Sequence, residues 1–139
     1  GPTYEDIDPV RYVGNRSSGR MGFAIAAAAR AAGASVTLVC GPVRLDTPAG
    51  VDRVDVRSAR QMLDAVQARI AGQDLFIAAA AVADYTVSAP ASAKRKKDGA
   101  PWQLVLTPTV DIVATVAAMS PRPYVVGFAA ETEDVEANA

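Results

Sequence analysis

The sequence predicts an α/β fold: a Rossmann-like, doubly wound, mostly parallel sheet with helices on both faces, as one domain over residues 1–139. Three observations lead there. Short apolar segments alternate along the chain with helical ones. Several strand candidates are apolar almost throughout, as strands covered on both faces are. No repeat or linker-like stretch divides the chain.

Gly1-Pro2-Thr3 reads as a loop with no strand before it. Met21 to Ala32 is an alanine-rich helical stretch closed by Gly33, since glycine tolerates the left-handed conformation of a helix C′ position. Ser35 to Cys40 follows as a strand stopped by Gly41-Pro42, and Val51 to Val56 alternates apolar and charged residues as a partly exposed strand does. Ser58 opens a helix with Gln61 completing a capping box, and Met62, Leu63, Val66 and Ile70 share one face of it.

The run Leu75 to Val82 reads as a buried strand, followed by a loop from Tyr85 to Ala100. Trp102 to Leu106 is a further strand, Val110 to Met119 a helix with Thr109 as N-cap, and Tyr124 to Phe128 a last strand apolar on both faces. The chain stops as a helix begins after Glu131, so a fragment of a longer protein is expected, its first strand and C-terminal part missing.

Composition narrows the chemistry. A net charge of −1 leaves no strong global attraction to nucleic acid or an anionic membrane, so anion binding must come from local clusters. No apolar run is long enough to span a bilayer, and no signal-peptide pattern opens the sequence. The single cysteine, Cys40, has no internal disulfide partner, which suits a cytoplasmic location; it reads as a small buried hydrophobe. Histidine is absent, which leaves lysine, carboxylates, amides and backbone groups to do any chemistry.

Five places carry candidate chemistry. In Gly14-Asn15-Arg16-Ser17-Ser18-Gly19-Arg20-Met21-Gly22, Ser17, Ser18 and Gly19 bring small residues and free N–H groups to a helix start, where phosphate binds. The Gly14–Gly19 spacing imitates a P-loop, but Arg20-Met21 replaces its lysine and hydroxyl residue, and a tight turn with serine capping is the plain alternative. Asn15 supplies a neutral amide suited to an oxyanion in acyl transfer. Asp84 ends the apolar strand, either as a turn cap or as a ligand to a ribose or a metal–triphosphate; magnesium needs only one or two carboxylates beside phosphate oxygens.

Lys94-Arg95-Lys96-Lys97 is either a solvated loop or a clamp that neutralises phosphates and closes over ligand. The turn Val110-Asp111-Ile112-Val113 offers first-turn N–H groups to a ligand, or Asp111 only complements the helix dipole. Phe128 either stacks on a base or is a core aromatic. The acid and the basic loop together suggest a site for a polyanion, most simply a nucleoside triphosphate with its metal.

Taken together, the blocks Asp8-Pro9-Val10-Arg11-Tyr12, Asn15 to Ala24, Ala80 to Tyr85, Lys94 to Lys97 in a K-x-K-K pattern, and Val125 to Glu131 closely resemble the phosphopantothenoylcysteine synthetase family of coenzyme A biosynthesis. In many bacteria that family forms the C-terminal half of a bifunctional synthetase/decarboxylase. The resemblance implies a CTP-dependent ligation in which the carboxylate of 4'-phosphopantothenate attacks the α-phosphorus, and the amine of cysteine then displaces CMP from the acyl-cytidylate. It implies Mg2+ as cofactor, with CTP as co-substrate, and FMN only in a decarboxylase half outside this chain. By position Lys94 matches the lysine that neutralises the triphosphate and Asn15 the asparagine that helps form the acyl-cytidylate. Ala78, Ala79, Ala80, Asp84, Val110 to Val113 and Phe128 match CTP-contacting positions.

Two departures stand out. The family often reads Asn-Pro-Asp-Ile where this chain has Thr109-Val110-Asp111-Ile112, and the family's later basic residues lie beyond Ala139. The resemblance also implies a homodimer, larger if fused to a decarboxylase half, with no nucleic-acid or membrane partner. Two other classes share the architecture. A dinucleotide-dependent oxidoreductase lacks its G-x-G-x-x-G here. The other is a non-catalytic nucleotide-binding or RNA-binding module, of which near-neutral charge and sparse aromatics argue against the RNA groove, while CTP binding without turnover would mark a sensor.

Overall fold

The computed structural model describes residues 1–128. The helix expected after Glu131 and the end of the Val125 to Glu131 block lie outside the described residues. Within them the α/β class holds, with two parallel strand pairs at its centre.

The first parallel pair is β3 (Thr37–Cys40) with β4 (Asp52–Asp55), and the second is β5 (Leu75–Ala78) with β8 (Tyr124–Gly127). Residues 1–3 lie between them. On one side the Ala81 N–H donates to the Gly1 carbonyl at 2.9 Å and the Thr3 N–H to the Ala81 carbonyl at 3.3 Å, with Pro2 and Ala81 in a parallel bridge. On the other side a Cβ at Gly41 would sit 1.6 Å from the Pro2 carbonyl oxygen, so only glycine fits where the chain leaves β3. The loop reading of Gly1-Pro2-Thr3 is therefore corrected in one respect: the segment bridges Ala81 on one side and packs closely against Gly41 on the other, between the two parallel pairs.

Two antiparallel ribbons flank this frame. The first is β1 (Tyr4–Asp6) with β2 (Tyr12–Gly14), where Tyr4 and Tyr12 stack at 3.9 Å. The second joins β6 (Tyr85–Val87) to β7 (Leu106–Pro108). Sequence placed Tyr85 in a loop and the strand at Trp102 to Leu106. Pairing opposite β6 moves the strand toward Pro108, because antiparallel register is set by the partner and not by local apolarity.

Helix α1 (Arg20–Ala31) ends in a Schellman motif: Gly33 at φ +94° donates to Arg30, and Ala34 to Ala29. Helix α2 (Ala59–Gln67) carries the expected capping box of Ser58 and Gln61, and the buried Glu5 carboxylate accepts the Ala59 N–H at 2.8 Å. Helix α3 (Ile112–Ala117) starts later than expected, with Asp111 as its N-cap through a 2.8 Å bond to the Ala114 N–H. Thr109 has a different partner, described below.

One core cluster joins Met62, Leu63, Val66 and Ile70 to Ile112 and Val116, with Phe76, Ala80, Val82 and Val125 packed against it. Side chains alternate across a strand. Accordingly Ala79, between Ala78 and Ala80, faces Gly22 of α1, where a Cβ would lie 3.8 Å from its own. Helices on both faces make the sheet doubly covered. The chain runs from the central segment through α1 to β3 on one side, then through α2 to β5 on the other. Strand order reverses at residues 1–3, and ligand crevices in such sheets open beyond the carboxyl ends at that point.

Candidate functional site

Residues 78–84 run outward from β5 at this reversal, and several of their backbone groups are held from other segments. The Phe128 N–H donates to the Ala78 carbonyl at 3.2 Å, and the Ala83 N–H donates to the buried Thr3 hydroxyl at 2.9 Å. The Thr109 hydroxyl donates to the Ala83 carbonyl at 2.7 Å, and its N–H to the Asp84 carbonyl at 2.8 Å. Thr109 thus braces the strand exit, which leaves Asp111 to cap α3. Sequence missed this role because a threonine before a helix is an ordinary cap.

Asn15 joins the same segment. Its side-chain amide donates to the Val82 carbonyl at 2.8 Å, across 67 positions. An amide nitrogen carries two donors, so one N–H and the oxygen remain for a ligand. Asp84 is exposed, and its backbone carbonyl is tied to the Thr109 N–H. No cluster of three or more potential metal ligands occurs among the described residues. A lone exposed carboxylate fits magnesium only as one ligand beside phosphate oxygens, and Asp84 meets that requirement.

Ser17, Ser18 and Gly19 lie on the other side of residues 1–3. Gly19 is the α1 N-cap in the left-handed conformation, φ +75°, without a side-chain cap. The Ser17 hydroxyl accepts the Gly19 N–H at 3.3 Å, a local turn, and the Ser18 hydroxyl accepts the Arg20 N–H at 3.5 Å at the start of the helix. Ser17 and Ser18 line a cleft of about 520 Å³ with Tyr4, Pro42, Val43 and Arg44. Arg44 carries a positive charge into that cleft which sequence patterning did not single out.

At the opposite wall Val113 packs over Gly127, where a Cβ would lie 3.8 Å from its Cγ1. Ile112 is buried in the core, whereas Val110 and Phe128 are 54% and 53% exposed. Phe128 is therefore available for stacking and is not a core aromatic. The turn is corrected in one respect: Val110 precedes the helix, and Asp111 uses one oxygen as the cap.

The basic loop is placed differently. Lys94, Lys96 and Lys97 are exposed, and none enters an ion pair among the described residues. Its anchor is the turn between β1 and β2, where the Ala91 N–H donates to the Ile7 carbonyl at 2.8 Å and Arg95 is held by Asp8 and Arg11. That turn lies at the other end of β2 from Asn15, roughly 13 Å along an extended strand. The structure thus brings Asn15, Ala78 to Ala80, Asp84 and Phe128 together at one strand exit, but does not seat Lys94 among them.

Electrostatics mark the anchor more than the exit. The Asp8 carboxylate is held well below the usual carboxylate range, first by the Arg11 guanidinium and then by backbone N–H groups of Val10, Arg11 and Arg95, against the opposing cost of burial. Burial pushes the Cys40 thiol up, aided by Asp55, in keeping with an unreactive buried cysteine.

Comparison with known proteins sharpens the assignment. A family model described as the DNA/pantothenate metabolism flavoprotein C-terminal domain matches residues 1–139. The coenzyme A biosynthesis bifunctional protein CoaBC of Vibrio parahaemolyticus is 55% identical over 142 residues, covering 100% of this chain and 36% of that protein. CoaBC of Escherichia coli is 56% identical over 140 residues, covering 98% of this chain and 34% of that protein. The chain therefore spans about a third of the length of the curated relatives it matches.

Among solved structures, the C-terminal domain of a CoaBC protein superposes with a TM-score of 0.86 at 44% identity, over 100% of this chain and 65% of that one. A DNA/pantothenate metabolism flavoprotein from Streptococcus pneumoniae superposes at 0.84 with 24% identity, over 99% of this chain and 70% of that one, a likeness of fold.

Proposed function

This chain belongs to the family of the DNA/pantothenate metabolism flavoprotein C-terminal domain, and on that premise we propose that it is the ligase part of a coenzyme A biosynthesis protein. The reaction is a CTP-dependent joining of cysteine to 4'-phosphopantothenate. The observation that carries this reading is the convergence of Asn15, Asp84 and Phe128 on the exit of β5, where the fold opens its crevice.

The chemistry asks the protein for position and charge neutralisation, not for a nucleophile. A carboxylate oxygen of phosphopantothenate forms a bond to the α-phosphorus of CTP as the bond to the β-phosphate oxygen breaks, and pyrophosphate leaves. The cysteine amine then attacks the acyl carbon, the bond to the phosphate oxygen breaks, and CMP leaves with the electron pair while the amine sheds its proton to solvent. An absence of histidine is consistent with this route. Asn15 offers its free N–H to the charge that builds on the α-phosphoryl oxygens as the acyl-cytidylate forms, held in place by its bond to Val82. The exposed Phe128 ring offers a face to the base, and backbone around Ala78 to Ala80 and Val110 to Val113 borders the nucleotide.

Asp84 would hold Mg2+, which supplies charge neutralisation on the triphosphate. Ser17, Ser18 and Gly19, beside Arg44, offer a second anion-binding surface for a phosphate. Lys94, presented from the basic loop outside the strand exit, meets the outer phosphates of the triphosphate and not the base or ribose. The protein acts in the cytoplasm as a homodimer.

The test is pyrophosphate release by the full-length protein with each of the four nucleoside triphosphates, with and without phosphopantothenate. Release with CTP that depends on phosphopantothenate and not on cysteine is expected. NADH binding without any such release would return the assignment to an oxidoreductase, and CTP binding without turnover to a sensor.

A further inference from the structure

Asp8 is only 2% exposed, yet its carboxylate serves two segments of chain. One oxygen accepts the Val10 and Arg11 N–H groups at 2.9 Å each and so forms the turn. The other pairs with the Arg11 guanidinium, its Nε at 2.9 Å, and accepts the Arg95 N–H at 3.3 Å from 87 positions away. Arg11 completes the hold, its Nη2 donating to the Arg95 carbonyl at 2.8 Å. Both backbone groups of residue 95 are thus engaged from one turn.

Trp102 closes the arrangement. The Arg11 and Arg95 guanidiniums lie 4.6 and 5.0 Å from its indole ring, where each is attracted to the π face. A turn cap needs none of this: the local bonds of Asp8 suffice for a turn, and the contacts to residue 95 do something more. Lys94 is the adjoining residue, its Cα about 3.8 Å from that of Arg95.

We propose that Asp8 is a positioning residue for Lys94: with Arg11 and Trp102 it latches the backbone of residue 95 and thereby sets where the basic loop presents its first lysine. The latch rests on the reading of Lys94 given above. It acts on an otherwise exposed loop, whose closing entropy it lowers before ligand arrives.

The test uses the full-length protein and the variants Asp8→Asn, Lys94→Gln and the two combined, with Trp102→Ala as a second way to loosen the latch should Asp8→Asn fold poorly. Trypsin cleavage within residues 94–97 is expected to accelerate about tenfold in Asp8→Asn and Trp102→Ala, since cleavage follows the opened population. For cysteine-independent pyrophosphate release, kcat/KM for CTP is expected to fall about tenfold in each. The double variant is expected to lose no more than Lys94→Gln alone, because a residue acting through another shows no separate loss. Additive losses, or unchanged cleavage and kinetics in Asp8→Asn and Trp102→Ala, overturn the latch while leaving Lys94 in its role. Wild-type kinetics in Lys94→Gln overturn the role of Lys94 and the positioning that depends on it.

Discussion

The side-chain amide of Asn15 is bonded to the carbonyl of Val82 at 2.8 Å, tying the end of β2 to the segment beyond β5. Two stretches that sequence could only set side by side in a motif comparison are in direct contact. The bond leaves one N–H of the amide free at the strand exit.

Asn15→Ala is therefore expected to cut cysteine-independent pyrophosphate release about a hundredfold, the scale of losing one oxyanion donor. Global stability should change little, because an exposed hydrogen bond contributes only about 1 kcal/mol. Release at the wild-type rate would remove Asn15 from the reaction.

Lys94→Gln is expected to slow acyl-cytidylate formation about a hundredfold by removing charge from the triphosphate. Its side chain is exposed, so unfolding free energy should stay within about 0.5 kcal/mol of wild type. Single-turnover kinetics with CTP and phosphopantothenate separate the two effects.

Asp111→Ala removes the α3 cap, at a cost of about 1 kcal/mol, and Asp111→Asn should retain most of it. Amide hydrogen exchange over residues 112–118 reads this locally. Roughly fivefold faster exchange is expected in the alanine variant. Unchanged exchange would show that packing of Ile112 and Val116 alone holds the helix start.

The anchor of the basic loop is expected to fail in acid. Arg11 holds the Asp8 carboxyl below its ordinary value, so ionised Asp8 favours the folded turn. That contribution is complete above the unfolded value of about 3.9 and fades as pH falls through the lower folded one. Exchange at the amides of Val10, Arg11 and Arg95, corrected for intrinsic rates, should stay protected down to about pH 4 and lose protection below it. Loss of protection already near pH 6 would mean that a different group controls the turn.

Much of the fold was legible in local chemistry. Ser58 and Gln61 announce α2, and Gly33 closes α1, because caps are satisfied by residues near in sequence. The strand after α3 was legible from its apolar run. Less legible were β6 and β7, which stabilise each other and have weak patterns alone, and α3, whose N-cap moved from Thr109 to Asp111 once Thr109 found Ala83. Of the site, Asn15, Asp84 and Phe128 could be named in advance. Arg44, the bracing role of Thr109 and the place of Trp102 could not, and Asp8 and Arg11 stood out only within a family block, because their bonds to residue 95 join segments far apart in the chain.

By itself, then, the order of residues determined the α/β class, both long helices, the missing histidine chemistry and the family blocks, all properties of composition or of neighbours along the chain. Tertiary structure decided which segment lies between the two parallel pairs, which carbonyl Asn15 meets, and that the basic loop is tied to the β1–β2 turn and not to the strand exit. Those outcomes depend on long-range pairing, where a hydrogen bond such as Arg95 to Asp8 joins groups that no local pattern relates.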